Sequence, residues 1–182
     1  MKLTNFFATI AVILTLTLLA LGCSKDDGSV TGPPPSKPKA AGTMTALIDG
    51  VSWAAGNNPT GEKSAYSWYT LSTGHLSIYG KQYDAPATTG KSIDIAVPAF
   101  GEGTFNLGNG GGYAIYKSTN PYFESDIIHV TGSVTLTKVD KVNKIVKGTF
   151  WCQVKGFSID VGDYVYVNIT NGAFDVEYVG EN

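Results

Sequence analysis

Few residues of this 182-residue chain combine a reactive type with a spacing that chemistry can use. His75 and His129, the only two histidines, stand far apart with no second histidine or cysteine beside either, so they do not form a zinc set. No G-x-S-x-G elbow is present to carry a nucleophilic serine. Glu102 and Asp126 are carboxylates that would act on a glycosidic bond only if the fold converged them. Asp160 and Asp163 in "SIDVGDY" lack the oxygen-rich spacing of a calcium loop. The expectation is a protein with no catalytic residues, no metal and no cofactor, a hydrolase standing behind that reading as the lesser alternative.

The residues better suited to a ligand are aromatic. Eight Phe, ten Tyr and three Trp make up 12% of the chain, and several fall on the polar parity of their segments. Tyr79 lies between Ser77 and Lys81, Trp151 between Thr149 and Gln153, and Tyr164 and Tyr166 precede Asn168. Flat rings among hydroxyls, amides and carboxylates suit a sugar, whose C–H face stacks on a ring while its hydroxyls find polar partners. Trp151, Tyr164, Tyr166, Asn168 and Glu177 form the expected ligand-binding set. The competing reading of the same rings is cross-strand packing, worth ~0.2 to 1 kcal/mol per pair.

Cys23 raises a different chemistry. It follows Lys2, an apolar and hydroxyl-bearing run from Phe6 to Leu21, and Gly22. That run is shorter than the ~20 apolar residues that span a bilayer, and its order of charge, apolar core and small residue is that of a signal peptide. "ALGC" resembles the lipobox of bacterial lipoproteins, with Ala20 and Leu21 in reversed order. The resemblance implies cleavage before Cys23, acylation of that cysteine, and anchoring by several acyl chains, which hold where one alone would be marginal. "CSKDD" is similar to the export signal of Bacteroidota lipoproteins, which implies that Lys25, Asp26 and Asp27 direct the protein to the outer face of the outer membrane. The alternative is a charged run that merely solvates the segment after Cys23. Residues 23–43 are rich in Ser, Gly, Pro and charge, with Pro33 to Pro35 consecutive. Such a composition buries too little apolar area to fold and reads as a tether. The organisation is therefore a leader over residues 1–22, an acylated tether over 23–43 and one domain over 44–182.

The net charge is −2, and all basic residues are lysine. Phosphate tracking wants a basic surface and base reading favours arginine, so nucleic acid is not an expected partner. With Cys23 acylated, Cys152 has no disulfide partner, and the core must hold the fold alone.

From residue 44 onward the apolar period is two, broken by Gly, Asn and Asp, which predicts many short antiparallel strands and no helix. "MTALIDGVSWAA" predicts a hairpin turning at Asp49-Gly50, with Ile48 opposite Val51 and Ala46 opposite Trp53. "YVYVNITNGAFDVEYV" predicts a second, turning at Asn171-Gly172. It places Val165, Val167, Ile169, Phe174, Val176 and Tyr178 inward, with Tyr166 facing Glu177 and Asn168 facing Asp175. Ile128, Val130, Val134 and Leu136 share one parity. After the polar "KVDKVNK", Val146, Phe150, Cys152 and Val154 share another, with Trp151 opposed to them. Leu76 with Ile78, Ile93 with Ile95 and Val97, Phe105 with Leu107, and Tyr113 with Ile115 mark four more strands. Residues 108–123, with four glycines and four aromatics, read either as an adaptable loop or as a long hairpin. About ten strands predict an antiparallel β-sandwich, with a flattened β-barrel as the alternative.

The ordered run "MTALIDGVSW", "GTFNLG", "GSVTLTKVDKVNKIVKGTFW" and "VNITNGAFDVEY" resembles an uncharacterised β-rich lipoprotein family of Bacteroidota, a domain of unknown function. The resemblance implies an exported, lipid-anchored β domain and brings no assigned site residues. The expected partners are the membrane through the lipid anchor and either a polysaccharide or an envelope protein, the latter in a purely structural role.

Overall fold

The structure, a computed structural model, describes residues 42–181 except 57, 59, 62, 85–88 and 120. The leader of residues 1–22, Cys23, Lys25, Asp26 and Asp27, and the tether up to residue 41 lie outside the described residues. Every regular element described is a strand: β1 (Thr43–Ile48), β2 (Val51–Ala54), β3 (Ala65–Thr70), β4 (His75–Tyr83), β5 (Gly90–Val97), β6 (Gly103–Leu107), β7 (Tyr113–Thr119), β8 (Tyr122–Asp140), β9 (Ile145–Ser158) and β10 (Asp163–Glu181).

All ten belong to one sheet, antiparallel except where β10 runs parallel to β3. Three strands are much longer than a period-two reading of short segments suggests: β8 and β10 have 19 residues each and β9 has 14. Side by side they form one wall. On the outer edge of β10 lie β1 and then β3, and on that of β8 lie β7 and then β6. The path β3–β4–β5–β7 makes the opposing wall and joins β10 back to β8, so the hydrogen-bonded circuit closes. Val134, Phe150, Cys152, Ile169 and Val176 from the first wall meet Leu76, Ile78, Ile93 and Ile95 from the second in a single core.

The Asp49-Gly50 hairpin forms as its sequence predicts, both residues having positive φ (48° and 80°) and Ile48 pairing Val51. Asn171-Gly172 does not turn the chain. Between Ile169 and Gly172, β10 spends one more residue than β9 does between Cys152 and Phe150. It does the same against β1, where Ala173 and Thr170 pair Thr45 and Leu47. The pair is thus a bulge, with Asn171 at φ 51° taking the left-handed conformation a turn would also have needed. Tyr166 consequently faces Lys155 rather than Glu177, and Asn168 faces Gln153 rather than Asp175. A bulge and a two-residue turn reverse side-chain parity alike, so Val167, Ile169, Phe174, Val176 and Tyr178 are buried as expected.

Gly172 matters for a second reason. It pairs Phe150, whose ring lies where a Cβ on residue 172 would stand, 2.5 Å away. Gly148 and Phe174 repeat the arrangement on the same two strands, so each ring covers the glycine across from it.

Two parities differ from expectation. Ile128 is 74% exposed, because β8 and β9 lose register between Ser125 and Val130. In β7 the core takes Ala114 and Tyr116, leaving Tyr113 and Ile115 on the outer side, since Ile93 and Ile95 of β5 face inward and pair Tyr116 and Ala114. Most of residues 108–123 is strand, so the hairpin alternative holds there. Cys152 is a free, buried cysteine.

Candidate functional site

Wall parity decides which rings face outward. On β9 the residues between the buried Phe150, Cys152, Val154 and Gly156 are Trp151, Gln153 and Lys155; on β10 those between Val165, Val167 and Ile169 are Tyr166 and Asn168. Trp151 is 49% exposed, and Tyr164 and Tyr166 are each 58% exposed. Four of the five residues expected to bind a ligand therefore share the outer face of the β9–β10 ladder.

Glu177 does not join them. It pairs Ile145 eleven residues (177 − 166) beyond Tyr166, up to ~35 Å away at ~3.3 Å per residue. Its carboxylate forms an ion pair with Lys63, so it supports the junction with the opposing wall.

Trp151 is half exposed beside short side chains. Its cross-strand neighbour on β8 is Ser133, too small to cover the indole. The ring separates two shallow depressions. One, of about 560 Å³, is lined by Ser133, Thr135, Thr149, Thr170 and Asn171. The other, of about 460 Å³, is lined by Asn106, Asn109 and Thr131 with the backbone of Gly108, Gly110 and Gly111. The period-two pattern supplies the hydroxyls, because Thr131, Ser133 and Thr135 are the outward residues of β8. The result is one flat ring flanked by hydroxyls and carboxamides.

Tyr164 and Tyr166 differ in their surroundings. Lys155 sits over both rings, its Nζ 5.5 Å from the Tyr164 centroid and 5.6 Å from that of Tyr166. Phe157 meets Tyr164 edge-on with centroids 5.7 Å apart. Asn168 is also engaged: its Oδ1 accepts from Gln153 Nε2 at 2.8 Å, and its backbone N–H donates to Asp49 Oδ1 at 2.8 Å. Asn168 thus clamps the tip of the β1–β2 hairpin to β10.

A second aromatic face lies on the opposite wall, of which the sequence pattern singled out only Tyr79. Tyr66 and Trp68 of β3, Tyr79 of β4 and Tyr113 of β7 surround Asp94 of β5, which pairs Tyr79 on one side and Ile115 on the other. The Tyr66 ring stands 5.6 Å from Trp68 and 5.4 Å from Tyr79, tilted to each. Asp94 Oδ1 is buried without a hydrogen-bond partner. Burial pushes the carboxyl up to about 6 against the pull of the Lys117 charge. Burial likewise raises Tyr66, Tyr79 and Tyr113. The signal that could have found this cluster is the outward parity of Asp94 between Ile93 and Ile95, read together with Tyr79; the strand order that gathers the four rings is not in the local pattern.

Among the described residues, no three His, Cys, Asp or Glu side chains gather to hold a metal ion. Asp126 is engaged locally, its Oδ1 accepting from the Ile128 N–H at 2.9 Å and its Oδ2 lying 3.4 Å from His129 Nδ1.

Fold and site together define a single-sheet all-β domain with a polar, aromatic outer wall. The chain belongs to the family described as Domain of unknown function (DUF6252), which matches residues 42–176, from the entrance of β1 to Val176 in β10. No curated protein and no solved structure matches it.

Proposed function

We propose that the protein is a lipid-anchored domain on the outer face of the outer membrane that binds polysaccharide, without catalysis, through the face centred on Trp151. The observation that carries this reading is the half-exposed indole set between two depressions lined by hydroxyl and carboxamide groups. Stacking on the ring supplies affinity, and the hydroxyls on either side orient a chain running across β8, β9 and β10. Tyr166 and Tyr164 extend the surface, with Lys155 moving off the rings as a saccharide arrives. Retention on immobilised polysaccharides tests this: Trp151→Ala should weaken binding at least tenfold, the loss expected when a central aromatic anchor is truncated. Equal retention of wild type and Trp151→Ala on every polysaccharide that binds would exclude the face.

The anchor rests on residues 18–27. Cys23→Ala should abolish metabolic labelling by palmitate and block processing. Replacing Lys25, Asp26 and Asp27 by alanine should leave the protein acylated but shielded from protease added to whole cells. Undiminished labelling of the first variant, or unchanged accessibility of the second, removes the corresponding part of the proposal.

A further inference from the structure

At one end of the molecule the two walls stand apart. The inward positions there carry small or polar side chains, Ser118 on β7 and Ser158 on β9, where the middle of the core has isoleucine and phenylalanine. Between the walls lies a cavity of about 300 Å³ whose apolar lining is Ile48, Phe123, Val165 and Val167, and whose polar lining includes Lys91, Tyr116 and the two serines. That volume equals about ten water molecules at ~30 Å³ each, the lower end of the range for small-molecule sites.

The surroundings of this cavity are unusually apolar for an open end of a domain. Val51, which lines it, is 64% exposed, and Ile159 and Val161 in the turn after β9 are 59% and 64% exposed. That turn is held close by, the Ile159 N–H donating to the Tyr122 carbonyl at the start of β8. Lys91 enters no ion pair among the described residues. Asp49, the cavity's carboxylate, already accepts the Asn168 N–H. With Asp49 Oδ1 turned toward the N–H and side-chain amide of the outward-facing Asn168 and Lys91 outside any ion pair among the described residues, a chamber of largely apolar lining favours a ligand greasy in the body and negative at the head.

We propose that this cavity binds a small amphipathic anion, its body of roughly six to ten carbons held between the walls and its carboxylate or sulfonate head paired with Lys91. The site is separate from the Trp151 face, since the two share no lining residue. The polar hydroxyls of Ser118, Ser158 and Tyr116 take the remaining hydrogen bonds of the head group or of a water beside it.

Calorimetric titration of the purified protein with decanoate, and fluorescence titration with anilinonaphthalene sulfonate, test the proposal. Both should bind saturably at one site and compete with each other, while decyltrimethylammonium of equal chain length should not compete. Lys91→Glu should weaken both anions at least tenfold and leave the thermal midpoint nearly unchanged. Val167→Trp should plug the chamber and remove binding; if that variant does not fold, Ser158→Leu fills the same space from β9. Competition by the cationic amphiphile as strong as by decanoate would overturn the head-group assignment. Absence of saturable binding, or binding undiminished in a folded plugged variant, would overturn the site, including the outcome in which the apolar end simply adsorbs to phospholipid vesicles.

Discussion

The two outer faces carry nearly the same alphabet and use it differently. Aromatic residues alternate with serine, threonine and charged residues on both walls. On β3–β4–β5–β7 the rings lean on one another across strands, Tyr66 against Tyr79 and Trp68, and with Ile115 they cover Asp94, Ser77 and Ala96, the last two buried despite their outward parity. On β8–β9–β10 Trp151 is flanked by Ser133, Thr149, Thr170 and Asn171, and about half of its surface stays in water. What distinguishes packing from display is what stands beside the ring on its own face: Trp68, although it pairs Ser77, leans on Tyr66 two residues before it, whereas Trp151, which pairs Ser133, has hydroxyls, carboxamides and glycines beside it.

The contrast depends on which way each wall points, and Cys152 reports that directly. It lies beside Trp151 on β9 but is 1% exposed, and burial pushes its thiol up to about 12. A thiol reagent should label it only through unfolding, at a rate reduced by at least ~10³ relative to the denatured chain, given the 5 kcal/mol or more of a typical domain. Fast labelling of the native protein would invert the two faces of β9.

Asp94 should make the packed face pH-sensitive. Its folded value of about 6 exceeds the 3.8 of an unperturbed carboxyl, so the folded state holds the proton more tightly. Stability from this group is present below about pH 4 and is lost as pH rises through about 6. Asp94→Asn should therefore gain on the order of 2 to 3 kcal/mol over wild type at pH 8 and little at pH 4, read from denaturant midpoints. An equal difference at both pH values would show that Asp94 is solvated. Asp140, held down to about 2 chiefly by the Asn143 side chain, acts in the opposite sense at acid pH, which is why the difference between the two proteins and not the wild-type curve is the measurement.

Truncating one ring from each face compares them in stability. Tyr79→Ala should cost about 1 to 2 kcal/mol and several degrees of thermal midpoint at pH 4, because Tyr66 loses its neighbour, and less at pH 8, where uncovering Asp94 relieves its burial. Trp151→Ala should stay within about 0.5 kcal/mol of wild type. Matching losses would mean that Trp151 also packs, and the proposed binding face would lose its basis. The smallest change belongs to Lys155→Ala, which uncovers Tyr164 and Tyr166. It should alter stability by less than about 0.5 kcal/mol while strengthening retention on any polysaccharide that uses those rings.

Much of this was readable from residue order alone. From residue 44 onward, the period of two, the glycine and asparagine punctuation and the absence of a helical repeat determine an all-β domain. Parity also told which of Phe150, Trp151 and Cys152 face inward, since alternation is a local property of an extended backbone. Asn171-Gly172 marks the limit. Turn and bulge both take Asn171 into the left-handed region and reverse parity alike, so these residues favour a local irregularity without saying whether the chain goes back or onward. That choice fell to tertiary structure, because β1 and β9 both pair β10 across the bulge, and a hairpin there would have broken both ladders. Glu177 moved away from Tyr166 for this reason alone. The Asp94 cluster, the openness around Trp151 and the apolar chamber beside Lys91 likewise depend on strand order. Each is made by residues from strands distant in sequence, brought together only when the sheet closes.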